Sequence, residues 1–419
     1  MGKLIIRNAH IKDGESTKDI KIIDGKITEV SKEIVNDNNS EEIDIKGHVV
    51  LPTLIESHIH PDKAYLEERM PNISGTLGEA MKNTAELKKK YTYEDVYERS
   101  EKVIRRAIKN GTTIMRAQPD VDPFEKTLGV EVMVDLKEKY KDVLDMQIVA
   151  FPQEGIIQSP GVDKMLENSL KMGADVIGAC PYSEEDMEGT KKQLEFVFDL
   201  AEKYDVPVDM HADFGTDPND PLNNVIELIC DMTIERGYQG KVALGHVTTL
   251  GSLDPEKAGP IFQKIAEAGI TIVPLPATDM FMNGRIEKKN IPRGMAPVNR
   301  MVEEGVNVAY SSNNIRNAFT PFGNADLITV GYLLQVSQQM GSAEQRRSVL
   351  DMCTYNAAKA LEIEDYGIKS GANADLVIYE CDDISNLIND QPYLQYVIKR
   401  GNVIVHNDIQ TTLHPLLRD

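Results

Sequence analysis

Both ends of the chain consist of short segments in which apolar and polar residues nearly alternate. At the amino end KLIIRNAHI, KDIKIIDGKITEV and EEIDIKGHVVLP are rich in β-branched residues, and Asp24–Gly25 marks a hairpin turn. At the carboxyl end ADLVIYE and QYVIKRGNVIVHN repeat the pattern, with a predicted turn at Arg400-Gly401-Asn402. We therefore expect residues 1–51 and 369–419 to form one small β-sandwich domain built from both termini.

Between these ends, in residues 52–368, short apolar runs alternate with long amphipathic stretches such as EDVYERSEKVIRRAIKNG and TKKQLEFVFDLAEKYDVP. Eight such βα units in about 315 residues predict an α/β fold, a (β/α)8 barrel of the TIM type. A doubly wound sheet is the alternative, but no Gly-x-Gly-x-x-Gly follows the first strand. The eight predicted strands are TLIESHIH, TTIMRAQ, MQIVAFPQ, DVIGACP, VDMHAD, VALGHVT, TIVPLPA and NVAYSSN.

Histidines stand at the carboxyl ends of three predicted strands, where a barrel places its chemistry. His58 and His60 end the first strand and share a face, because residues two apart in a strand point the same way. His211 ends the fifth strand and His246 the sixth. A lone histidine is most often a hydrogen-bonded loop residue, but four at strand ends favour a metal site. Three neutral imidazoles can bind zinc or iron(II) and leave a position for water.

Other catalytic motifs are absent from the sequence. It contains no His-Glu-x-x-His, no Pro-Cys-x-x-Cys and no Gly-x-Ser-x-Gly. A hydrolase built on this chain would therefore use metal-bound water as its nucleophile. The other histidines, His10, His48, His406 and His414, lie in the predicted β domain or tail, where we expect structural or solvated roles.

The composition limits the binding partners and the cellular compartment that we expect for this protein. The 419 residues carry 46 Lys and Arg against 67 Asp and Glu, a net charge of −21, which argues against nucleic acid and anionic membranes. The four cysteines are widely separated, and the sequence shows neither an export signal nor a run long enough to span a membrane. We expect a cytoplasmic protein with reduced thiols that acts on a small molecule, and homo-oligomerisation is left open.

Several segments resemble the amidohydrolase superfamily and, within it, the cytosine deaminase branch. The likeness rests on His58-x-His60, on the strand-end histidines 211 and 246, and on a polar pair in strand 8. It extends to DMQIVAFPQEGI, GADVIGACP, NGRIEKKNIPRG, FTPFGNADL and NAAKALEIEDYGIKSGANADLVIYE, and so covers essentially the whole chain. The resemblance implies hydrolysis of a C–N bond in a small nitrogen heterocycle or cyclic amide.

The resemblance also implies roles for individual residues. His58, His60 and His211 would be metal ligands, with His246 over the metal-bound water as an acid/base group. The strand 4 end, DVIGACPYS, lacks the lysine that bridges two metals in binuclear relatives, so one divalent ion per chain is expected, zinc or iron, or manganese. Gln153 would face the amide edge of the substrate, although it could also cap its own loop.

Further residues are candidates for contact with the substrate. His60-Pro-Asp62-Lys63 resembles the His-x-Asp-Lys of relatives that act on triazine-type rings, so Lys63 would bind an anionic oxygen or serve as an acid; the alternative is a surface pair with Asp62. Phe214 and Asn314 are expected to line the substrate site. The arginines that could meet an oxyanion near the barrel mouth, or sit in surface ion pairs, are Arg116, Arg285 and Arg293.

Two positions depart from the family pattern. Phe214 stands where cytosine deaminases have a proton-shuttling Glu, and Asn313 stands where they have a metal-binding Asp. General acid–base catalysis contributes about 10²–10⁴ in rate, so a replacement base is needed. We expect His246 or Asp213 to be that base, because Asp213 lies two residues from His211. The alternative hypothesis is a catalytically weakened relative that binds a heterocycle without turnover.

Overall fold

The computed structural model describes residues 2–36, 40–285, 287–414 and 416. It divides into two compact units, one made of Met1–Thr53 with Asp365–Asp419 and the other of Leu54–Glu364. In chain order the strands are β1 (Lys3–Ala9), β2 (Lys18–Ile23), β3 (Lys26–Ser31), β4 (Glu41–Asp44), β5 (Val49–Pro52), β6 (Leu54–Ile59), β7 (Thr112–Ala117), β8 (Asp145–Ala150), β9 (Val176–Ala179), β10 (Val208–Ala212), β11 (Val242–His246), β12 (Thr271–Val273), β13 (Asn307–Val308), β14 (Leu376–Tyr379), β15 (Leu394–Lys399) and β16 (Asn402–His406).

Most helices follow the strands of the larger unit, as expected for βα repeats. They are α1 (Leu77–Lys88), α2 (Tyr93–Lys109), α3 (Leu128–Tyr140), α4 (Val162–Met172), α5 (Met187–Tyr204), α6 (Ile226–Glu235), α7 (Pro255–Glu267), α8 (Pro276–Met282), α9 (Val298–Glu303), α10 (Leu327–Ser337), α11 (Ala343–Met352), α12 (Tyr355–Ala360) and α13 (Leu387–Asp390). Helix α2 begins where the Thr92 side chain accepts a hydrogen bond from the Asp95 N–H. Its buried face includes Val103, Ile104 and Ile108, as the sequence predicts.

The smaller unit contains two four-stranded sheets, ordered β3-β2-β1-β4 and β16-β15-β14-β5 among the described residues. Neighbouring strands are antiparallel except for the parallel pair β1 and β4. One apolar cluster draws on both sheets, with Ile6, Ile20 and Ile22 from the first and Leu376 and Ile398 from the second. The sequence's prediction of strands at both ends is confirmed.

The predicted turn at Asp24–Gly25 joins β2 to β3. Both residues have a positive φ, 50° and 80°, which suits the tight primed turn that a two-residue hairpin needs. Arg400 and Gly401, between β15 and β16, repeat it with φ of 47° and 75°. A Cβ on Gly25 would lie 3.1 Å from the Arg400 carbonyl oxygen, so glycine also lets the two turns pack closely.

The larger unit is organised around a curled parallel sheet, whose eight strands in the described part of the chain run in sequential order from β6 to β13. A parallel bridge pairs Ile59 with Asn313, and the His60 N–H donates to the Asn313 carbonyl oxygen over 2.8 Å. These contacts join the first and last strands' ends, so the architecture is a TIM-like barrel and the doubly wound alternative is wrong.

No helix in the described ranges is long and apolar enough to cross a membrane.

Candidate metal centre and active site

Three imidazoles converge at the carboxyl ends of β6 and β10. The His211 Nε2 lies 3.0 Å from the Nε2 of His58 and 3.0 Å from the Nε2 of His60. Burial is the main cause that lowers the pKa of all three rings. A neighbouring histidine lowers each pKa further: His246 does so for His58, and His58 does so for His60 and His211. The rings are therefore neutral near pH 7, the form in which imidazole binds a metal.

Hydrogen bonds behind two of these rings fix their orientation. The His60 Nδ1 lies 2.8 Å from the Gln118 carbonyl oxygen, to which it must donate, so the lone pair of its Nε2 faces the other histidines. The His58 Nδ1 lies 2.9 Å from the Gln118 side-chain nitrogen and 3.3 Å from an Asp209 carboxylate oxygen, to which the Gln118 nitrogen also donates over 2.8 Å. Arg116 donates to the other Asp209 oxygen over 3.0 Å. Arg116 is thus buried within the barrel on a carboxylate, which corrects the expectation that it meets an anion at the mouth or lies in a surface pair.

Asn313 is held next to this cluster by the end of the last strand. The buried Glu56 carboxylate accepts hydrogen bonds from the Ser311 and Ser312 hydroxyls and, over 3.0 Å, from the Ser312 N–H. Asn313 has φ of 59° and lines the same small cavity as His60 and His211. Its buried side-chain oxygen has no hydrogen-bond partner among the described residues, so it is available as a ligand.

His246 lies across the cavity and is paired with a carboxylate. Its Nδ1 is 2.6 Å from Asp279 Oδ1, and the second Asp279 oxygen accepts from the Leu275 N–H over 2.8 Å. The Phe214 ring packs against the imidazole at 4.2 Å between centroids. A carboxylate on Nδ1 makes Nδ1 the protonated nitrogen and leaves Nε2 free to accept a proton.

Lys63 is fully buried and does not form the alternative surface pair with Asp62. Its Nζ donates to Asp120 Oδ1 over 2.8 Å and to Gln153 Oε1 over 3.1 Å. It lies between the Phe151 and Phe319 rings, 5.4 and 5.5 Å from their centroids. The structure brings Lys63 and Gln153 to one wall of the cavity, where the Gln153 amide N–H groups can still donate.

Asp213 is turned away from this cavity. Its carboxylate accepts from the backbone N–H groups of Val225 and Ile226, over 2.9 and 3.2 Å, at the start of α6. Burial raises the pKa of this carboxyl to about 6. Residues two apart lie on the same face only where the strand is extended. The chain leaves the extended conformation at Asp213, whose φ is 48°, so its side chain does not share the face of His211. The geometry therefore gives Asp213 a capping role and does not support the expectation that it acts as the base.

The cavity between these groups has a volume of about 20 Å³. Its lining residues are His60, Lys63, Leu77, Gln153, Tyr182, His211, Phe214, His246, Thr278, Asn313, Asn314 and Phe319. Asn314 accepts a hydrogen bond from Asn317 Nδ2 over 2.6 Å. An adjoining hollow of about 260 Å³ shares Leu77 and Phe214 with it and includes Arg285, which is exposed at its rim. Leu77 and Phe214 thus stand between the site and this hollow.

The donors present fit one divalent ion. The Nε2 atoms of His58 and His60 each lie within hydrogen-bond distance of His211 Nε2, and nitrogens of all three rings lie within 4.8 Å of one another. His60 Nε2 carries no proton, because its Nδ1 donates to Gln118, so it cannot donate to His211. An ion at this point satisfies all three nitrogens at once, and the Asn313 oxygen offers a fourth, neutral ligand.

Sequence reasoning missed Asp279, Asp209 and Asp120. Asp209 carried a usable signal, because it lies two residues before His211 on an otherwise apolar strand and so points into the barrel. Asp279 and Asp120 lie in loop or short helical segments whose partners are distant in sequence, and no local pattern marks them.

Comparison with known proteins agrees with this geometry. Residues 92–405 match the model of an amidohydrolase family. The chain is 30% identical over 416 residues to N-isopropylammelide isopropyl amidohydrolase of Pseudomonas sp. strain ADP, covering 97% of this chain and 98% of that protein.

Solved structures show the same likeness. The 5-methylcytosine deaminase of Klebsiella pneumoniae, liganded with 5-fluorocytosine, superposes with a TM-score of 0.93 at 27% identity, covering 99% of this chain and 100% of the other. N-isopropylammelide isopropylaminohydrolase of Burkholderia multivorans gives a TM-score of 0.85 at 25% identity, covering 97% and 99%. The chain belongs to the amidohydrolase family, enzymes that hydrolyse carbon–nitrogen bonds other than peptide bonds.

Proposed function

We propose that this protein hydrolyses the exocyclic C–N bond of a small nitrogen heterocycle or cyclic amide and releases an amine or ammonia. The observation that carries the proposal is the convergence of three neutral imidazoles beside the paired His246 and Asp279. The relatives named above act on cytosine-like and ammelide-like rings, which supports this substrate class. None of them is a non-catalytic binder, so a ligand-binding role without turnover has no support.

His58, His60 and His211 would hold one divalent ion, with the Asn313 amide oxygen as a neutral fourth ligand. When bound, such an ion supplies Lewis-acid charge that makes water a stronger acid and polarises the carbon under attack. The neutral amide takes no proton, so proton transfer falls to another residue.

His246 fills that role in the proposal. With its Nδ1–H held by Asp279, its Nε2 accepts the proton that water loses on attack and returns it to the departing nitrogen. The carboxylate stabilises the imidazolium that exists between these two transfers. Phe214 packs on the ring and excludes water from this side, which keeps the proton on Nε2 until the leaving nitrogen takes it.

Lys63 and Gln153 orient the ring of the substrate. The Lys63 ammonium is anchored by Asp120, so it presents a fixed positive charge to a ring oxygen. The Gln153 amide group donates to a second acceptor on the same edge. Together they select a heterocycle with oxygen acceptors over a purely hydrocarbon ring.

The remaining wall is apolar, which favours an alkyl substituent on the leaving nitrogen. Phe214 and Phe319 belong to one buried cluster, and Leu77 and Tyr182 pack against it. An N-alkyl group in contact with this wall gains about 0.8 kcal/mol for each buried CH₂. A primary amine gains nothing there, and the Glu that assists it in cytosine deaminases is replaced by Phe214.

A matched substrate pair tests the proposal. We would measure amine or ammonia release from oxo-substituted pyrimidines and triazines that differ only in carrying –NH₂ or –NH–isopropyl, using zinc-loaded or iron-loaded protein. We expect turnover of at least one pair, with kcat/KM higher for the alkylated member and lost in His211→Asn. No release from any pair by metal-loaded protein would contradict the proposal. Equal release by wild type and His211→Asn would contradict it too.

A further inference from the structure

A second group of ionisable side chains extends from Lys63 through Asp120 to Lys88 and is distinct from the histidine cluster. It combines two lysines with five carboxylates, most of them fully buried. Its members are Asp62, Lys63, Lys88, Asp120, Asp122, Glu125 and Glu154. Two ammonium groups cannot neutralise five carboxylates, and burial makes an uncompensated charge costly.

The lysines are already committed to some of these carboxylates. Lys63 holds one Asp120 oxygen at 2.8 Å. Lys88 contacts the other Asp120 oxygen, lies 2.6 Å from Asp122 and is 3.7 Å from Glu154. Neither lysine forms an ion pair with Asp62 or Glu125 within the described residues, so the lysines do not supply a partner charge for these two carboxyl groups.

Three oxygen atoms of this cluster have neither a hydrogen-bond partner nor an ion-pair contact in the described structure: Asp62 Oδ1 and both carboxylate oxygens of Glu125. Asp120 Oδ2 accepts no hydrogen bond there, but it forms an ion pair with Lys88. Asp62 is fully buried, and Glu125 is 6% exposed. One oxygen from each of Asp62, Asp120 and Glu125 can be chosen so that all three lie within 4.8 Å of one another. The three carboxyl groups are therefore close enough to share one ion.

The electrostatics of Glu125 agree with a missing positive charge. Burial, followed by the charge of Asp62, raises the pKa of its carboxyl well above the ordinary range, and Lys88 opposes this only in part. A buried carboxylate in this position is stabilised by a cation or else binds a proton.

We propose that Asp62, Asp120 and Glu125 bind a hard divalent cation, Ca²⁺ or Mg²⁺, at a site separate from the three histidines. All the donors are carboxylate oxygens, which these ions prefer, whereas zinc and iron(II) prefer the imidazole cluster. The proposal is independent of the hydrolytic function, because it concerns binding and stability.

Such an ion would fix the segment that carries the substrate-binding lysine. Asp62 lies between His60 and Lys63, while Asp120 and Glu125 follow β7, so a shared ion ties the loop after β6 to the loop after β7. Asp62 already accepts from the Asp120 N–H over 3.1 Å. The cation would add an ionic tie to this bond and to the Lys63–Asp120 pair, and it would stabilise the folded state in proportion to its binding.

Calorimetric titration of chelator-treated full-length protein tests the site. CaCl₂ and MgCl₂ are added in separate experiments to wild type, His211→Asn, Glu125→Gln and the exposed control Glu185→Gln. We expect about one equivalent of one of the two ions to bind wild type, His211→Asn and Glu185→Gln alike. Glu125→Gln should bind it at least about tenfold more weakly, since it lacks an anionic ligand.

Two results would overturn the proposal. The first is no heat of binding, and no rise in unfolding temperature, with either ion in wild type; the carboxyl groups would then hold protons. The second is binding that disappears in His211→Asn and persists in Glu125→Gln, which would place the ion at the histidines. If Glu125→Gln does not fold, wild type and His211→Asn still decide between these outcomes.

Discussion

At the scale of single residues, the activity we propose depends on the 2.6 Å contact between His246 and Asp279. Asp279→Asn keeps the size of the side chain but can hold the imidazole in the wrong tautomer, with the proton on Nε2. We expect kcat to fall roughly 10²- to 10⁴-fold with little change in KM. Asp254→Asn, an exposed residue before α7, is the matched control and should behave as wild type. Steady-state kinetics with equal activity in Asp279→Asn would remove His246 as the base.

A second prediction for a single residue concerns metal retention at Asn313. Asn313→Asp supplies an anionic oxygen where the structure offers a neutral, unpartnered one. It should slow the removal of the metal by a competing chelator by at least about tenfold. Asn314→Asp is the neighbouring control, because its oxygen is already bonded to Asn317. Equal rates of metal loss in both variants would show that position 313 does not ligate.

Site residues could be predicted from the sequence where residues of a suitable chemical type are spaced as in a β-strand. His58 and His60 were found because two histidines two apart end a strand, and the structure places both in the cavity lining or its histidine cluster. Asp279 was not found, because its contact with His246 joins the end of β11 to α8, 33 residues further along the chain. Asp213 was expected beside His211, but its positive φ accompanies a turn of the chain, and its carboxylate bonds to the start of α6.

At the scale of elements, Asp213 is expected to stabilise α6 rather than to transfer protons. Asp213→Ala removes the acceptor of two N–H groups and should lower the free energy of unfolding by about 0.5–2 kcal/mol, whereas Asp213→Asn retains one acceptor and should lose less. Because the folded-state pKa is raised to about 6, wild type should gain stability relative to Asp213→Asn as pH falls from about 6 to 4. Denaturant unfolding at both pH values measures this, and a difference that is flat with pH would contradict it.

Glu56 links the first and last strands of the curled sheet. Glu56→Ala leaves the hydroxyls of Ser311 and Ser312 without their buried acceptor, so we expect a loss of about 2–5 kcal/mol in unfolding free energy. Glu29→Ala, on an exposed strand position of the smaller unit, should change stability by less than about 0.5 kcal/mol. Similar unfolding midpoints for the two variants would show that Glu56 does not hold the sheet ends together.

Helices and strands were predicted well where apolar residues recur at regular spacing. They were predicted less well where side-chain hydrogen bonds replace backbone pairing between strands. Helix α2 has its predicted apolar face, and the hairpin turns at Gly25 and Gly401 have the expected positive φ. The last strand was predicted as NVAYSSN, but the regular strand covers only Asn307–Val308. Beyond it, Ser311 and Ser312 bond to Glu56 instead of extending a backbone ladder, which an apolar-polar pattern does not reveal.

At the scale of the whole molecule, a barrel whose rim carries three converging histidines is combined with a cavity of about 20 Å³, room for roughly one water molecule. A heterocycle is larger, so binding requires the side chains between the cavity and the adjoining hollow of about 260 Å³ to move. Leu77 and Phe214 line both spaces and are the side chains that separate them. The order of the βα units could be predicted from sequence, but the width of this passage depends on side-chain packing.

The proposed hydrolysis depends on one divalent ion held by His58, His60 and His211. We would titrate chelator-treated protein with zinc or iron(II), in buffer containing Ca²⁺ and Mg²⁺, and follow amine release. We predict that activity rises linearly and saturates at about one equivalent per chain, and that His211→Asn neither binds the ion tightly nor gains activity. Activity that is independent of added metal, or tight one-to-one binding that persists in His211→Asn, would contradict the account.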